Sequence, residues 1–273
     1  MEPRQELRDV APDDAAALRK QDRKFVVALG RGLSILEALA AGETWLASGT
    51  LAARVGLPRP TVSRLLQSLV QDGYVHYSER RRQYRLGLGV VALGQTATGA
   101  SGAAQLVQPY LRYLADTFNV HASLAGRDRL DAVQIEVCHS TTTLMTLQLD
   151  VGSRIPLAGT ATGHALLATL PEEELELLYG HLSRRHAKHW HEIRARIEEA
   201  RAEHAARGYT TSRHGWMTDI NGVAAALPRD RDGAVLALSC GAPARHLPRA
   251  KMEVIGQELK RISAEIAAGL ADS

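Results

Sequence analysis

Arg59, Thr61, Ser63, Arg64, Gln67 and Ser68 fall on one side of a short segment with an apolar stripe, and none of them is acidic. Side chains of these types can approach phosphate oxygens without like-charge repulsion and can hydrogen-bond base edges in a major groove. Arg80, Arg81 and Arg82 follow at a chain reversal. Across residues 44–88 seven arginines stand against Asp72 and Glu79, a local charge of +5 in a chain whose net charge is only +3. The positive charge is therefore concentrated, as a polyanion-binding surface requires. The competing reading is an ordinary solvated helix with an arginine run; it needs charge asymmetry, turn chemistry and helix periodicity to coincide by accident.

The elements around these residues must aim them. Residues 50–55 read as a short helix with Leu51, Ala52 and Val55 on its apolar side, broken by Gly56-Leu57-Pro58. A second helix follows, with Pro60 in its first turn and Val62, Leu65, Leu66 and Leu69 at the spacing of one buried stripe. Asp72-Gly73 closes it, and residues 74–77 run out to the arginine tip and return along 84–86 as a two-stranded wing. This is the pattern of a winged helix-turn-helix, with the second helix reading DNA. A preceding helix over 25–41 carries Val26, Leu29, Leu33, Leu36 and Leu39 at helical spacing, is expected to pack on the apolar side of the motif, and stops at Gly42.

After the wing, residues 88–97 form an apolar helical segment, and Gly99, Ser101 and Gly102 read as a break. That linker helix is either a dimer contact or a helix buried on its own domain; both readings stay open. Beyond it the pattern changes to a helix to Phe118, strands over 120–125 and 133–137 around a turn at 126–129, and an alternating strand over 144–149. Helices over 162–170, 172–182 and 190–207 come next, then strands over 223–227 and 234–239 around Arg231-Asp232-Gly233, and a last helix over 248–270. The order implies an α+β domain, helices packed on an antiparallel sheet. The expected organisation is a disordered polar tail over 1–22, the DNA-binding domain over 23–87, the linker over 88–102 and an effector-binding and oligomerisation domain over 103–273.

Other chemistries find less support. Cys138 and Cys240 are the two cysteines, with no C-x-x-C spacing, which argues against a zinc ribbon or a disulfide framework. Cys138 and His139 are adjacent, so in a strand they point to opposite faces and cannot act as nucleophile and base for one another. His181, His186, His189 and His191 cluster, and the pair His186/His189 could share a helix face and a metal ion; Arg184, Arg185, Lys188 and Glu192 nearby fit a solvated charged face instead. No metal, cofactor or catalytic residue is assigned. The N-terminus lacks an apolar core, and no run of about 18 apolar residues occurs, so neither a signal peptide nor a membrane span is expected and the cytoplasm is the expected compartment.

Several motifs in order resemble those of the IclR-type bacterial transcriptional regulators. Arg31-Gly-Leu-Ser-Ile-Leu-Glu is similar to the family's first-helix signature and Gly56-Leu-Pro-Arg-Pro-Thr-Val-Ser-Arg-Leu-Leu-Gln-Ser-Leu to its recognition-helix signature, while Gly73-Tyr-Val and Tyr84-Arg-Leu-Gly match the wing. Val151-Gly-Ser-Arg-Ile-Pro-Leu, Thr160-Ala-Thr-Gly-His-Ala-Leu-Leu-Ala, Arg207-Gly-Tyr and Asp232-Gly resemble its regulatory-domain motifs. The resemblance implies a homodimer or tetramer whose GAF-like C-terminal domain binds a small organic effector, a carboxylate or aromatic catabolite, and alters binding to a double-stranded DNA operator, as a repressor rather than an activator. Carried over by position, the effector pocket would be lined by Thr160, Ala161, Thr162 and Gly163, by Leu144 and Leu147, and by Ile220, Gly222, Cys240 and Ala242. Free N–H groups at the helix start beginning at Thr160 would suit a carboxylate; a close-packed helix start is the other reading. Residues 212–221 lack the glutamate common after the Gly-Tyr, with Arg213, His214 and Trp216 in its neighbourhood. Alternatives are a DNA-binding regulator without small-molecule control, or an enzyme using the C-terminal domain.

Overall fold

The computed structural model describes residues 26–41, 44–99, 103–140, 149–229 and 235–271. The tail over 1–22, Gly42, Leu144 and Leu147 with the strand expected there, and the turn Arg231-Asp232-Gly233 lie outside the described residues. The described chain falls into two compact units, divided between residues 99 and 103.

The first unit contains α1 (Val27–Ala40), α2 (Ser48–Val55), α3 (Arg59–Gln71), strands β1 (Val75–Ser78) and β2 (Gln83–Leu86), and α4 (Leu88–Gly99). Gly56 ends α2 in the left-handed conformation, at φ 64°, which allows the sharp turn into α3 without a side-chain penalty. Ile35, Leu39, Leu46, Leu51, Val62, Leu66 and Val75 form the core. α1 differs from expectation in the face that it buries. Ile35 and Leu39 pack inward, whereas Val26, Leu29 and Leu33, three of the five residues of the expected stripe, are 62%, 63% and 51% exposed. A helix with apolar residues on two sides satisfies simple periodicity with either, and the core selects the one that α2 and α3 can reach. β1 and β2 pair antiparallel with Tyr77 opposite Tyr84, and Leu46 adds a bridge to Tyr84, exchanging backbone hydrogen bonds of 2.9 and 2.8 Å. At Gly87 a β-carbon would come within 2.3 Å of the Gly73 carbonyl oxygen, so the end of α3 and the base of the wing meet where both residues are glycine.

The second unit contains α5 (Ala103–Phe118), β3 (His121–Asp128), β4 (Asp131–Cys138), β5 (Arg154–Pro156), α6 (Ala161–Ala168), α7 (Glu172–Arg185), α8 (Trp190–Arg207), β6 (Thr210–Arg213), β7 (Ile220–Ala226), β8 (Leu236–Pro243) and α9 (Arg249–Ala271). The strands form one antiparallel sheet in the order β5-β4-β3-β8-β7-β6. Alternation along the strands divides the interior. Ala122, Leu124, Val223, Leu238, Cys240 and Ala242 pack with α5 and α9 on one face, and Ala125, Ala132, Ala224 and Ala237 pack with α6 and α7 on the other. β5 and β6 were absent from the sequence reading. β6 is a short edge strand, Thr-Thr-Ser-Arg, whose polar residues carry no apolar alternation, and it starts directly after Gly208 caps α8 at φ 83°.

Candidate nucleic-acid interface and ligand cavity

α3 is fixed by Val62 and Leu66, both fully buried, with Leu65 and Leu69 half-buried at the edge of the core. The opposite side presents Arg59, Ser63, Arg64 and Gln67 to solvent, with Thr61 half-buried beside them. Arg80, Arg81 and Arg82 are exposed at the turn between β1 and β2. There the Arg82 N–H donates to the Ser78 carbonyl at 2.7 Å and the Arg81 N–H donates to Ser78 Oγ at 3.2 Å, while Arg82 itself takes a left-handed φ of 53°.

A residue outside the expected set organises the wing. The Trp45 ring has the Arg85 and Arg81 guanidinium carbons 4.9 and 5.5 Å from its centroid and meets the His76 ring edge-on at 5.8 Å. A cation over an indole face is attracted by the ring quadrupole, so Trp45 holds two wing arginines near one another despite their like charge. The only local signal was an aromatic close to a basic region; the pairing itself depends on the bridge from Leu46 to Tyr84, which brings distant stretches of chain together.

In the second unit a cavity of about 50 Å³ lies between the sheet and the start of α6. Thr160, Ala161, Thr162, Ile220, Gly222 and Cys240 of the expected set border it; Gly163 and Ala242 are not among its described lining. Gly163 packs against the chain at Leu157, where a β-carbon would approach the carbonyl oxygen to 2.2 Å. Its N–H donates to Thr160 Oγ1 at 3.0 Å, and that hydroxyl donates in turn to the Pro156 carbonyl at 2.8 Å. The helix start thus spends one of its orphan N–H groups on its own cap. Ala242 packs in the core on the far face of the sheet, and so does the Cys240 side chain, because Ser239 and Gly241 are the residues of β8 that face the cavity.

The cavity also draws on His121, Ser123, Gln134, Leu149, Ile155, Ser212, Trp216 and Ser239, none of which was assigned from the sequence. Ser123 and Ser239 are opposed across β3 and β8, their hydroxyl oxygens 2.9 Å apart. His121 Nδ1 lies 3.4 Å from His139 Nδ1, and His121 Nε2 and Gln134 Oε1 are buried with no hydrogen-bond partner among the described residues. Burial, aided by the neighbouring His139, pushes His121 down to about 4, so its ring is neutral at physiological pH. Signals existed in the small or polar run His121, Ser123, Ala125 on one side of β3, opposite apolar Ala122 and Leu124.

The remaining chemistry in the sequence resolves into structural roles. Cys138 is buried and its thiol is pushed up by that burial, while the His139 ring is turned toward His121 at a centroid distance of 4.9 Å. His181 is buried and bonds Arg184 at 2.6 Å. Among the described residues no three His, Cys, Asp or Glu side chains converge to hold a metal ion, and no helix is long and apolar enough to cross a membrane.

Comparison with known proteins decides the family. Residues 28–79 match the IclR helix-turn-helix domain, and residues 95–268 match the bacterial transcriptional regulator IclR C-terminal domain. The chain belongs to the IclR family. It is 30% identical to the HTH-type transcriptional regulator TsaQ1/TsaQ2 of Comamonas testosteroni over 92% of this chain and 91% of that protein. The transcriptional repressor IclR of Escherichia coli is 29% identical over 56% of each. An IclR-family regulator from Brucella abortus has a similar crystal structure, with a TM-score of 0.76 at 32% identity, covering 92% of this chain and 96% of that one. An IclR homologue from Microbacterium hydrocarbonoxydans, crystallised with 4-hydroxybenzoate, shares the fold at a TM-score of 0.71 and 19% identity over 90% and 100% of the two chains. As an IclR-family member the chain is a DNA-binding transcriptional regulator, not an enzyme.

Proposed function

We propose that the chain is a repressor that binds a pseudo-palindromic operator as a dimer or pair of dimers and is controlled by a small organic ligand in the cavity between the sheet and α6. It acts in the cytoplasm, with its operator. The carrying observation is a cavity in the C-terminal unit that combines buried polar atoms, unpartnered among the described residues, with apolar walls, the make-up of a site with few polar anchors. Repression is favoured by the relative named a repressor, and ligand control by the fold neighbour bound to 4-hydroxybenzoate. Dimerisation is supported by apolar surface on the DNA-binding unit: Val26, Leu29 and Leu33 at α1, and Leu88, Val91 and Leu93 on α4, are all more than half exposed.

In this reading Arg59, Thr61, Ser63, Arg64 and Gln67 meet the major groove and Arg80, Arg81 and Arg82 the flanking phosphates. The test is footprinting and mobility shift on the chain's own upstream region, with and without a panel of small organic compounds. Two protected half-sites about one helical turn apart, or a multiple of it, are expected. Full-affinity protection of a single half-site by a monomer would overturn the dimer. Thr162→Leu, which fills the cavity, is expected to remove the ligand response; an unchanged response at unchanged ligand concentration would move the ligand elsewhere.

A further inference from the structure

The wing has an inner and an outer side. Val75 lies opposite Leu86 and Tyr77 opposite Tyr84, and of these Val75, Tyr84 and Leu86 pack into the core of the first unit. Alternation turns the intervening pair, His76 and Arg85, outward, and both are exposed. The antiparallel bridge from Leu46 to Tyr84 sets Trp45 alongside Arg85 on that outer side, with Leu46 itself buried. Arg81 reaches the same ring from the turn. Trp45 is therefore placed by backbone pairing and a buried neighbour, and the two arginines are placed by Trp45.

No acid on the wing takes up their charge. Glu79 is the single acidic residue over 75–86, and among the described residues no carboxylate pairs with Arg81 or Arg85. A salt bridge would spend charge and N–H donors on the protein itself. An indole face restrains a guanidinium while leaving its charge and its five N–H donors available to another partner. Two like charges kept close on one ring also repel each other, a cost that an anion beside them removes. The anion that suits planar, multiply donating guanidiniums is a phosphate, whose oxygens accept paired N–H groups. An arginine already held in place gives up less rotamer freedom when it binds, so the ring raises affinity without touching the ligand.

We infer that Trp45, Arg81 and Arg85 form a preassembled clamp for the DNA phosphate backbone on the outer side of the wing, with Trp45 as its positioning residue. The inference rests on the wing meeting DNA. It adds Arg85 and Trp45 to the interface, and it makes the two arginines act together through one ring rather than singly.

Anisotropy titrations of the full chain, on a duplex of its own upstream region and on a random duplex across a range of salt, read the clamp. Arg81→Ala and Arg85→Ala together should weaken binding to both duplexes and lower the salt slope by about two. A loss confined to the upstream duplex would mean base readout and overturn the phosphate role. Trp45→Leu should weaken binding to both duplexes by about fivefold, the lower end of what ordering two long side chains costs. Trp45→Phe, which keeps a ring face, should recover most of that loss. The deciding step is a mutant cycle: with Arg81 and Arg85 already replaced by alanine, Trp45→Leu should have no further effect. An equal loss in both backgrounds would mean that Trp45 supports the fold or touches DNA itself, and would overturn the clamp, as would Trp45→Phe binding no better than Trp45→Leu. Melting curves confirm that each variant is folded, and Trp45→Gln replaces Trp45→Leu in the cycle if the leucine variant is not. Wild-type affinity in Trp45→Leu, with a loss in the arginine pair, would keep the wing on DNA and remove the clamp. Wild-type affinity in all of them would take the wing off the DNA, and the reading beneath the inference with it.

Discussion

Arg64 and Arg81 belong to one charged surface but are held in different ways. Arg64 projects from the middle of α3, whose position is set by fully buried Val62 and Leu66, so its guanidinium can return to the same place at each encounter. Arg64→Ala is expected to relax the preference at one base pair by about 1–3 kcal/mol, read from competition among single-base operator variants. Equal losses on operator and random DNA would remove Arg64 from base readout. Arg81 lies at the exposed wing turn over the Trp45 ring. Arg81→Ala is expected to weaken binding to every sequence and reduce the salt slope by about one; a change confined to one base pair would contradict a phosphate role. The α3 face was legible because helical spacing and side-chain charge are both local. Trp45 was not, since its partners come from another part of the chain through a backbone bridge. His121, Ser123 and Gln134 were missed for a similar reason: a polar residue in a strand reads as solvent-facing until the helix covering that face is known.

At the scale of elements, α1 carries apolar residues on two sides, and the core claims only one. Leu33 is 51% exposed and lies on the side left over. Leu33→Asp is therefore expected to preserve the fold of the DNA-binding unit while shifting the chain toward monomer, measured by sedimentation velocity, with operator affinity falling in parallel. An unshifted dimer would place the contact elsewhere. α6 shows the opposite situation, an element with no slack. Gly163→Ala would drive a methyl group into the Leu157 backbone, which cannot yield as a side-chain tip can, and should cost about 1–3 kcal/mol in denaturant unfolding of the second unit. Wild-type stability in that variant would mean that the chain at Leu157 can move aside. Helices were legible in the sequence wherever an apolar stripe met a cap or a glycine stop, as in α2, α3 and α8. The short strands β5 and β6 were not, because three or four residues on a sheet edge take their conformation from the neighbouring strand rather than from their own pattern.

The whole molecule carries an acid sensitivity that follows from its interior. His121 and His164 are 3% and 5% exposed, and burial lowers each to about 4, with His139 beside the first and Arg196 near the second adding to the effect. In the unfolded chain both titrate near the ordinary value of about 6.5, so between roughly pH 6.5 and 4 the unfolded state binds more protons and the native state loses stability as the pH falls. A displacement of that size corresponds to about 3 kcal/mol for each histidine. The urea midpoint should therefore drop from pH 7 to pH 5, and His164→Gln should flatten the drop; a constant midpoint would show that neither ring is held neutral. The three tryptophans are also unevenly placed: Trp45 lies against the wing arginines, Trp216 borders the cavity, and Trp190 packs on Tyr179 at 5.4 Å. Replacing Trp190 and one of the other two by phenylalanine leaves a single indole in either unit. Its fluorescence then gives separate optical clocks for arrival at DNA and for filling of the cavity, so the order of the two events can be timed in one polypeptide without an added dye.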